Sequence, residues 1–295
     1  MARKNPYRWF AIPGITLLVI SFGGSLLWNF YYSLTRYSGY GHPIWVGARN
    51  YIFLWSNNDV RRALIHAILF IVPFSIIPII IGSFLAAIIF DYIAPRFGDE
   101  IASFFRSLLY LPQIIPLAIV GVISHWFWNA DTGAINKLLE SMGLERFAQD
   151  WENSPGAMQI ILSLILVWLQ VGFTFVIFIA GMSRIDQTVL EAAQIDGASW
   201  FKQFRLITLP LLRPEMTVVF LTTLIGALKI FAPVYWITGG GPYGATNVPS
   251  IYVFKQFYGG NQVGMASSIS MIMAVLLGAI ALVILRRQRE MQGPQ

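Results

Sequence analysis

The chain contains 295 residues, of which 56% are hydrophobic and only 12% are charged, whereas soluble domains carry about a quarter charged residues. This composition excludes an ordinary soluble domain and predicts a membrane protein in contact with lipid. The formal net charge of +6 does not indicate nucleic-acid binding, because the basic residues occur singly or in pairs without a stripe that could follow phosphates.

The N-terminal region predicts a short tail, residues 1–9, followed by a first transmembrane helix over residues 10–32. This apolar run is too long for a signal peptide, ends in aromatic residues and lacks a clear A-x-A cleavage site. We therefore expect a retained membrane helix that also serves as a signal anchor. Residues 33–62 are more polar and are predicted to form an external loop.

Five further apolar runs have the length of a membrane-spanning helix. They cover residues 63–90, 108–128, 158–181, 216–236 and 266–285. The sequence thus predicts an all-α, polytopic membrane protein with six transmembrane helices, five of them in a core over residues 63–285. Kinks are expected at Pro73, Pro78 and Pro116, which neighbouring helices and water can accommodate. None of the six runs contains Asp or Glu.

The segments between the runs carry basic residues unequally. With the N-terminus inside, the inner segments hold 12 Lys and Arg residues and the outer segments hold 7, and such an excess is typical of cytoplasmic loops. Both termini are therefore predicted to be cytoplasmic, with a C-terminal tail over residues 286–295. Arg61 and Arg62, directly before the second run, predict an interfacial helix whose arginines reach the headgroups.

The sequence offers no pattern for catalysis or metal binding. Cysteine is absent, and His42, His66 and His125 lack metal-ligand spacing, so we interpret them as packing or interface residues. Residues 239–244 match G-x-G-x-x-G by accident, because they follow an apolar helix instead of a strand. A P-loop motif is also missing. We expect a protein that is not an enzyme and that has no metal or cofactor of its own.

The charged segment between the fourth and fifth runs is predicted to form two short helices. Asp186 can cap the first helix and Gly197 can end it, because glycine adopts the left-handed conformation of a tight turn. Ser199 can cap the second helix, and Leu209-Pro210 predicts an extended stretch after it. An aromatic face on the second helix is formed by Trp200, Phe201 and Phe204.

This helix-turn-helix segment, residues 186–210, is called the knob below. Its pattern is consistent with an amphipathic hairpin on lipid headgroups or with a docking site for a cytoplasmic protein. Docking is favoured because Glu191 suits an anionic membrane surface poorly and because small residues let a partner backbone approach closely. These small residues are Ala192, Ala193, Gly197 and Ala198.

The knob resembles the E-A-A…D-G-A…F…I-x-L-P signature of permease subunits of binding-protein-dependent ABC importers. The matching residues are Glu191, Ala192, Ala193, Asp196, Gly197, Ala198, Phe204, Ile207, Leu209 and Pro210. Residues 110–139 resemble the third-span region of sugar-type permeases, and residues 227–242 resemble their fifth span and outer loop. The resemblance extends over nearly the whole chain.

The resemblance implies a type I ABC importer permease fold. Residues 183–215 would be a coupling loop that sits in a groove of the ATPase subunit, with Glu191 paired to a basic ATPase residue and the aromatic face anchoring the knob to its own membrane domain. The working unit would include a second permease subunit, two ATP-binding subunits that hold ATP and Mg, and an external solute-binding protein. This chain would be the first-type, maltose- or glycerol-phosphate-like sister of a heterodimeric pair in a prokaryotic inner membrane.

The function expected from this resemblance is the import of a sugar, such as an oligosaccharide or a related polyol, by alternating access. Polar residues in spans favour positions that face a cavity. Candidate pathway residues are Gln113, Asn129, Trp168, Gln170, Thr174, Lys229, Phe231 and Tyr235. Candidate contacts with the binding protein are Gly239, Gly240, Gly241, Pro242 and Tyr243. Two alternatives stay open: an ion- or proton-coupled secondary transporter, and a structural subunit whose sister carries the substrate site.

Overall fold

The computed structural model describes residues 8–292, which are almost entirely helical. The α-helices up to residue 154 are α1 Arg8–Leu18, α2 Ser25–Ser33, α3 Arg49–Ser56, α4 Asn58–Leu69, α5 Ile77–Ile88, α6 Ala94–Phe97, α7 Asp99–Ile114, α8 Leu117–Trp128 and α9 Ala134–Ser141. The later ones are α10 Pro155–Met182, α11 Gln187–Ile195, α12 Trp200–Gln203, α13 Leu209–Leu211, α14 Arg213–Leu228, α15 Ala232–Ile237, α16 Pro249–Phe254 and α17 Val263–Gln292.

Wider π-helical turns join several of these helices into longer runs. They lie at Val19–Gly24, Val72–Ile76, Ile89–Ile93, Phe204–Thr208 and Lys255–Gly259, and a 3-10 turn lies at Glu145–Phe147. Two short strands, β1 Thr35–Arg36 and β2 Ile44–Trp45, pair in antiparallel fashion. A π-helical turn accommodates an extra residue within a helix, so these runs continue through positions where an ideal α-helix would be interrupted.

Four helical runs are long and apolar enough to cross a membrane: Phe10–Ser33, Asn58–Phe97, Pro155–Met182 and Val263–Val283. Two pairs of bent helices bring the number to six when each pair is counted as one span. The pairs are Asp99–Ile114 with Leu117–Trp128 and Trp200–Leu211 with Arg213–Leu228. The predicted all-α membrane fold is confirmed. Each of the six predicted runs overlaps one of these regions, but the second bent pair begins at Trp200, in the knob, and ends at Leu228.

The third predicted span is broken at Pro116, where a kink was expected, and the fifth is broken where none was predicted. The third bends by 91° between α7 and α8, because Pro116 has no amide hydrogen and forces Ile115 into an extended conformation. The fifth ends at Leu228 instead of continuing to residue 236. Pro233 explains this end, since its ring would clash with the carbonyl of Lys229 in an unbroken helix.

The second span is longer than predicted. It forms one helical run of 40 residues, Asn58–Phe97, so Arg61 and Arg62 belong to its first turns and the separate interfacial helix predicted for them was wrong. The π-helical turn Val72–Ile76 accommodates the prolines that would otherwise interrupt this run. The longer run also contains Asp91, an acidic residue that the predicted boundary left outside the spans.

Contacts divide the chain into two compact units, one of which contains residues 62–248. Its core lies between α5 and α10, where Phe175 and Phe178 are completely buried. The Thr174 hydroxyl donates to the Pro78 carbonyl at 2.9 Å, which satisfies a backbone oxygen in the proline-containing helix. Gly82 allows this close approach, since a side chain there would collide with Thr174. The packed core of α5 and α10 thereby supports the knob, which follows α10 in the chain.

The second unit contains the described residues up to Arg61 and from Pro249 onward. The carbonyl of Ser33, at the end of the first span, accepts hydrogen bonds from Asn50 at 2.9 Å and from Ser268 of α17 at 2.8 Å. Residues 1–7 of the predicted N-terminal tail lie outside the described residues. Most of the predicted C-terminal tail, up to Gln292, is a helical continuation of α17, and residues 293–295 lie outside the described residues.

Candidate functional site

The first helix of the knob begins where the sequence predicts. The Asp186 carboxylate accepts a hydrogen bond from the Thr188 backbone N–H at 3.0 Å and so caps α11. This hydrogen bond lowers the pKa of Asp186 below its ordinary value. The carboxylate therefore remains charged at neutral pH, and the cap persists there.

The turn between the two knob helices depends on Gly197, whose φ is +75°. The Ala198 N–H donates to the Ala193 carbonyl at 2.9 Å, and the Gly197 N–H donates to the Gln194 carbonyl at 3.0 Å. These two bonds form a Schellman motif, which requires a residue in the left-handed region after the helix end. The predicted helix-turn-helix form is thus confirmed.

Two local predictions for the second knob helix were wrong. Ser199 occupies the N-cap position but makes no capping bond with its side chain, and Gln203 instead donates to the Ala198 carbonyl at 2.7 Å. Leu209-Pro210 is helical instead of extended, with Leu209 at φ −60° and ψ −44°. The π-helical turn Phe204–Thr208 precedes it, and Pro210 falls in the first turn of α13, where proline is tolerated.

Aromatic side chains anchor the knob to the membrane helices. The Trp200 ring stacks on Phe204 with centroids 5.7 Å apart, and it meets Phe84 and Tyr92 edge-on at 5.7 and 5.8 Å. The Trp200 indole N–H also donates to the Asp91 carboxylate at 3.0 Å. Asp91 was absent from the predicted site, because its partner lies more than a hundred positions away and no local pattern connects them.

The opposite side of the knob is exposed. Ile195 and Phe201 expose 87% and 58% of their surface, so the predicted aromatic face divides into an anchored part and an exposed part. Glu191, Ala192, Asp196 and Gly197 are exposed, Ala193, Ala198 and Pro210 are half-buried, and Phe204 is buried. Across the described residues, no ion pair engages the Glu191 carboxylate. The knob therefore presents an apolar tip and a carboxylate that are both available to a partner.

A groove of 660 Å³ lies between the knob and the C-terminal end of the second span. Its polar lining consists of Asp91, Arg96, Gln187, Glu191, Gln194 and Gln203. At the base of the coupling loop, the Arg184 guanidinium lies 3.5 Å from the Glu215 carboxylate. The knob is thus joined to the membrane helices at the aromatic anchor and at this base, and the groove lies beside the anchor.

A second candidate site is a cavity of 270 Å³ at the helix breaks. Its lining includes Gln113 and Leu117 on either side of the break at Pro116, Ile230 beside the end of α14, and Phe74 from a π-helical turn. Gln170, from the middle of α10, also lines this cavity. Broken helices and π-helical turns are common at functional sites, because they leave backbone groups unpaired by the helix.

Two of the eight predicted pathway residues line this cavity. They are Gln113, whose side-chain amide donates to the Leu169 carbonyl, and Gln170, which is half-buried. Gln113 was selected because polar residues in spans favour cavities, and the helix break next to it explains its position.

The other pathway candidates lie outside the lining of the cavity. Asn129 accepts the backbone N–H groups of Asp131 and Thr132 and so closes a turn. Thr174 is completely buried in the core between α5 and α10. The remaining four are exposed or half-buried: Trp168, Lys229, Phe231 and Tyr235. Phe231 and Tyr235 stack on each other with centroids 5.3 Å apart.

The loop that contains the predicted binding-protein contacts is held by hydrogen bonds from two helices, α4 and α10. Its peptide Gly241-Pro242 is cis, and Tyr243 exposes 88% of its surface. His66 bonds to the Asn247 carbonyl at 2.9 Å, and Gln159 donates to the Ala245 carbonyl at 2.7 Å. The sequence pattern did not predict that these two side chains hold the loop, although a polar residue at the end of an apolar helix is a signal for such a bond.

The fold is similar to that of solved ABC importers. A bacterial ABC transporter involved in the import of the acidic polysaccharide alginate superposes with a TM-score of 0.82 at 21% identity, covering 97% of this chain and 96% of that chain. The same class of transporter, solved in complex with an alginate pentasaccharide-bound periplasmic protein, gives a TM-score of 0.80 at 20% identity. The fold is therefore that of the matched chains of these ABC transporters.

The chain belongs to the family of binding-protein-dependent transport system inner membrane components, whose model matches residues 96–290. A probable ABC transporter permease of Bacillus subtilis, YurN, is 27% identical over 278 residues, covering 94% of this chain and 93% of the relative. The trehalose/maltose permease MalF of Thermococcus litoralis is 29% identical over 280 residues, covering 93% and 90%. The sulfoquinovosyl glycerol permease SmoG of Agrobacterium fabrum is 32% identical over 181 residues, covering 61% and 58%.

Family membership excludes one of the alternative functions considered for this sequence. The chain is a membrane component of a transport system and not an enzyme, and the ion- or proton-coupled secondary transporter is excluded as its class. Among the side chains that the structure describes, no group of three His, Asp or Glu residues could hold a metal ion.

Proposed function

We propose that this chain is a permease subunit that imports a sugar or a related polyol, received from an external solute-binding protein. The names of its relatives support this substrate class, since they include trehalose, maltose and sulfoquinovosyl glycerol transport. The observation that carries the proposal is the knob, whose anchored aromatic side and exposed apolar tip suit a joint between a membrane subunit and a cytoplasmic one.

In this proposal the knob docks on an ATP-binding subunit. The exposed side chains of Ile195 and Phe201 would enter an apolar groove, and Glu191 would pair with a basic residue at its rim. Movement of the ATPase would then reach the second span through Trp200 and Asp91, which are hydrogen-bonded. The complete importer would contain two ATPases with ATP and Mg, a second permease and this first-type chain. The two permeases would form a heterodimeric membrane domain.

The cavity at the helix breaks is proposed as the part of the sugar pathway that this chain provides. Amide side chains can donate to and accept from sugar hydroxyls, and both Gln113 and Gln170 line the cavity. The outer loop, residues 239–243, would contact the binding protein, and both termini and the knob would be cytoplasmic. The alternative is a structural subunit whose sister carries the substrate site.

Replacement of Gln170 by alanine tests this assignment. If Gln170 contacts the sugar, we expect uptake to fall about tenfold, because a hydrogen bond to substrate contributes about 1 kcal/mol or more in a cavity shielded from water. The yield of the assembled importer and its ATPase activity should stay unchanged. Uptake and complex yield are measured together. Leu164→Ala is the matched control, since Leu164 lies on the same helix, is 59% exposed and does not line the cavity.

Each result has a distinct meaning. Unchanged uptake with unchanged yield would remove Gln170 from the pathway and favour the structural alternative. A fall in yield that Gln170→Leu reproduces would show that the amide bonds to another helix instead of to substrate. Normal yield with reduced uptake in both Gln170→Ala and Gln170→Leu would support the proposed role.

A further inference from the structure

The unit that contains the first and last spans has a cavity of its own, with a volume of 370 Å³. Two arginines and several amide or hydroxyl side chains supply its polar lining. These residues are Arg36, Arg49, Asn50, Ser38, Asn261 and Gln262. A water molecule occupies about 30 Å³ in the liquid, so the cavity has room for a phosphate group with attached carbon atoms and some water.

The backbone around this cavity is held by several hydrogen bonds. Asn50 donates to the carbonyls of Ser33 and Thr35, both at 2.9 Å. Val46 donates to the Leu34 carbonyl at 2.9 Å, and Tyr51 donates to the Ser33 hydroxyl at 2.6 Å. The hairpin that carries Arg36 and the helix that carries Arg49 are therefore fixed relative to each other, and the cavity is a built feature of the unit.

The cavity is strongly positive. Its lining contains Arg36 and Arg49 but neither Asp nor Glu. Neither arginine takes part in an ion pair among the described residues. Both side chains are exposed at the mouth of the cavity, where their guanidinium groups can turn toward a ligand. A guanidinium presents a fork of N–H donors that matches the oxygens of a phosphate, often in pairs.

The cavity lies at the level where two membrane spans end. Arg36 follows the last residue of the first span, Ser33, by three positions, and Gln262 directly precedes the first residue of the last span, Val263. Two tryptophans close in sequence to lining residues are exposed: Trp45, which precedes Val46, at 62%, and Trp55, two positions after Phe53, at 86%. Exposed tryptophans next to arginines at a helix end are typical of the headgroup layer of a membrane.

We propose that this cavity binds the phosphodiester of an anionic phospholipid headgroup, such as that of phosphatidylglycerol. Arg36 and Arg49 hold the phosphate oxygens, and the polar side chains of Asn261 and Gln262 reach the glycerol hydroxyls. Trp45 and Trp55 lie beside the acyl chains where these leave the headgroup. The bound lipid fastens the ends of the first and last spans at the outer surface. This binding site is independent of the sugar, the knob and the ATPase.

Native mass spectrometry of the purified full-length chain tests the proposal. The chain is prepared in mixed phosphatidylcholine and phosphatidylglycerol, released into mild detergent, and its retained lipids are counted. We expect one phosphatidylglycerol to be retained by the unmodified chain and at least about tenfold less by the double variant Arg36→Gln/Arg49→Gln, since two charge-assisted contacts are lost. Arg61→Gln is the matched control, because Arg61 belongs to the same unit and is exposed but does not line the cavity.

Three results would overturn the proposal. The first is equal retention of phosphatidylglycerol by the double variant and the control. The second is displacement of the lipid by millimolar inorganic phosphate at the same site, which would identify a free-phosphate site. The third is equal loss of phosphatidylglycerol in the glutamine variant and in Arg36→Lys/Arg49→Lys, which keeps both charges and should retain more of the lipid.

Discussion

Replacing Gly197 with valine is expected to uncouple ATP hydrolysis from transport while leaving membrane insertion intact. Gly197 has a φ of +75°, and open space surrounds the position where a side chain would begin. The effect of valine is therefore a backbone effect: a β-branched residue in the left-handed region costs on the order of 2 kcal/mol. The turn opens, the Schellman hydrogen bonds weaken, and the tip of the knob loses its orientation.

The matched variant for this prediction is Gly197→Asn, because asparagine tolerates the left-handed conformation far better than valine does. Transport per ATP hydrolysed is measured for both variants in reconstituted vesicles. We expect at least about tenfold lower transport per ATP for valine and a much smaller loss for asparagine. Normal coupling in the valine variant would contradict the assignment of the knob as the joint.

Trp200→Ala is expected to have the second-largest effect, by loosening the knob from the second span. The change removes the stacking with Phe204, the edge-on contacts with Phe84 and Tyr92, and the hydrogen bond to Asp91. Since Trp200 is only half-buried, we expect a loss of about 2 kcal/mol, below the range for a fully buried tryptophan. Hydrogen exchange of residues 186–199 should then accelerate roughly thirtyfold, and transport should fall.

Phe201→Ala is the matched control on the same helix. Phe201 is 58% exposed, and its ring lies 6.5 Å from that of Phe204 within the knob, so Phe201 belongs mainly to the tip. Its removal should leave hydrogen exchange of the knob unchanged but weaken the association with the ATPase. If both variants change hydrogen exchange equally, or if neither affects transport, the division of the knob into an anchored side and a docking side is incorrect.

The membrane fold was predictable from the sequence because continuous apolar runs of about 20 residues match the thickness of a bilayer and are rare in soluble domains. The breaks were harder to locate. Pro116 was expected to kink its helix. The size of the bend, 91°, also depends on the extended residue before the proline and on the helices that pack against α7 and α8. At Lys229 the run stays apolar beyond the helix end, so hydropathy alone extended the fifth span to residue 236.

The knob was predictable in its turn and first cap, because Asp186 and Gly197 act on backbone groups only a few positions away. Its anchor was predictable only in part. The aromatic residues of the second helix were identified, but their partners Phe84, Tyr92 and Asp91 lie on another span. Contacts between residues so distant in sequence leave no periodic signal in a single chain.

The pathway candidates were also predictable only in part from the sequence. Gln170 and Gln113 line the cavity, and Gln113 also donates to the Leu169 carbonyl, whereas Asn129 and Thr174 bond to backbone groups and lie outside the cavity lining. Both situations solve the same physical problem, which is to provide a polar group with hydrogen-bond partners in an apolar surrounding. The sequence does not reveal whether a polar side chain bonds to the protein backbone or to a substrate. Only the positions of the helices separate the residues that line the cavity from those that do not.

The most direct test of the central claim is site-specific crosslinking from the tip of the knob. Because the sequence has no cysteine, Ile195→Cys provides a unique thiol at a position that is 87% exposed. With a short thiol-reactive photocrosslinker in native membranes, we predict crosslinks to a protein that carries a P-loop ATPase motif, and none to that protein from Tyr243→Cys in the outer loop. Crosslinking to the ATPase from Tyr243→Cys, or only to lipid from Ile195→Cys, would contradict the account.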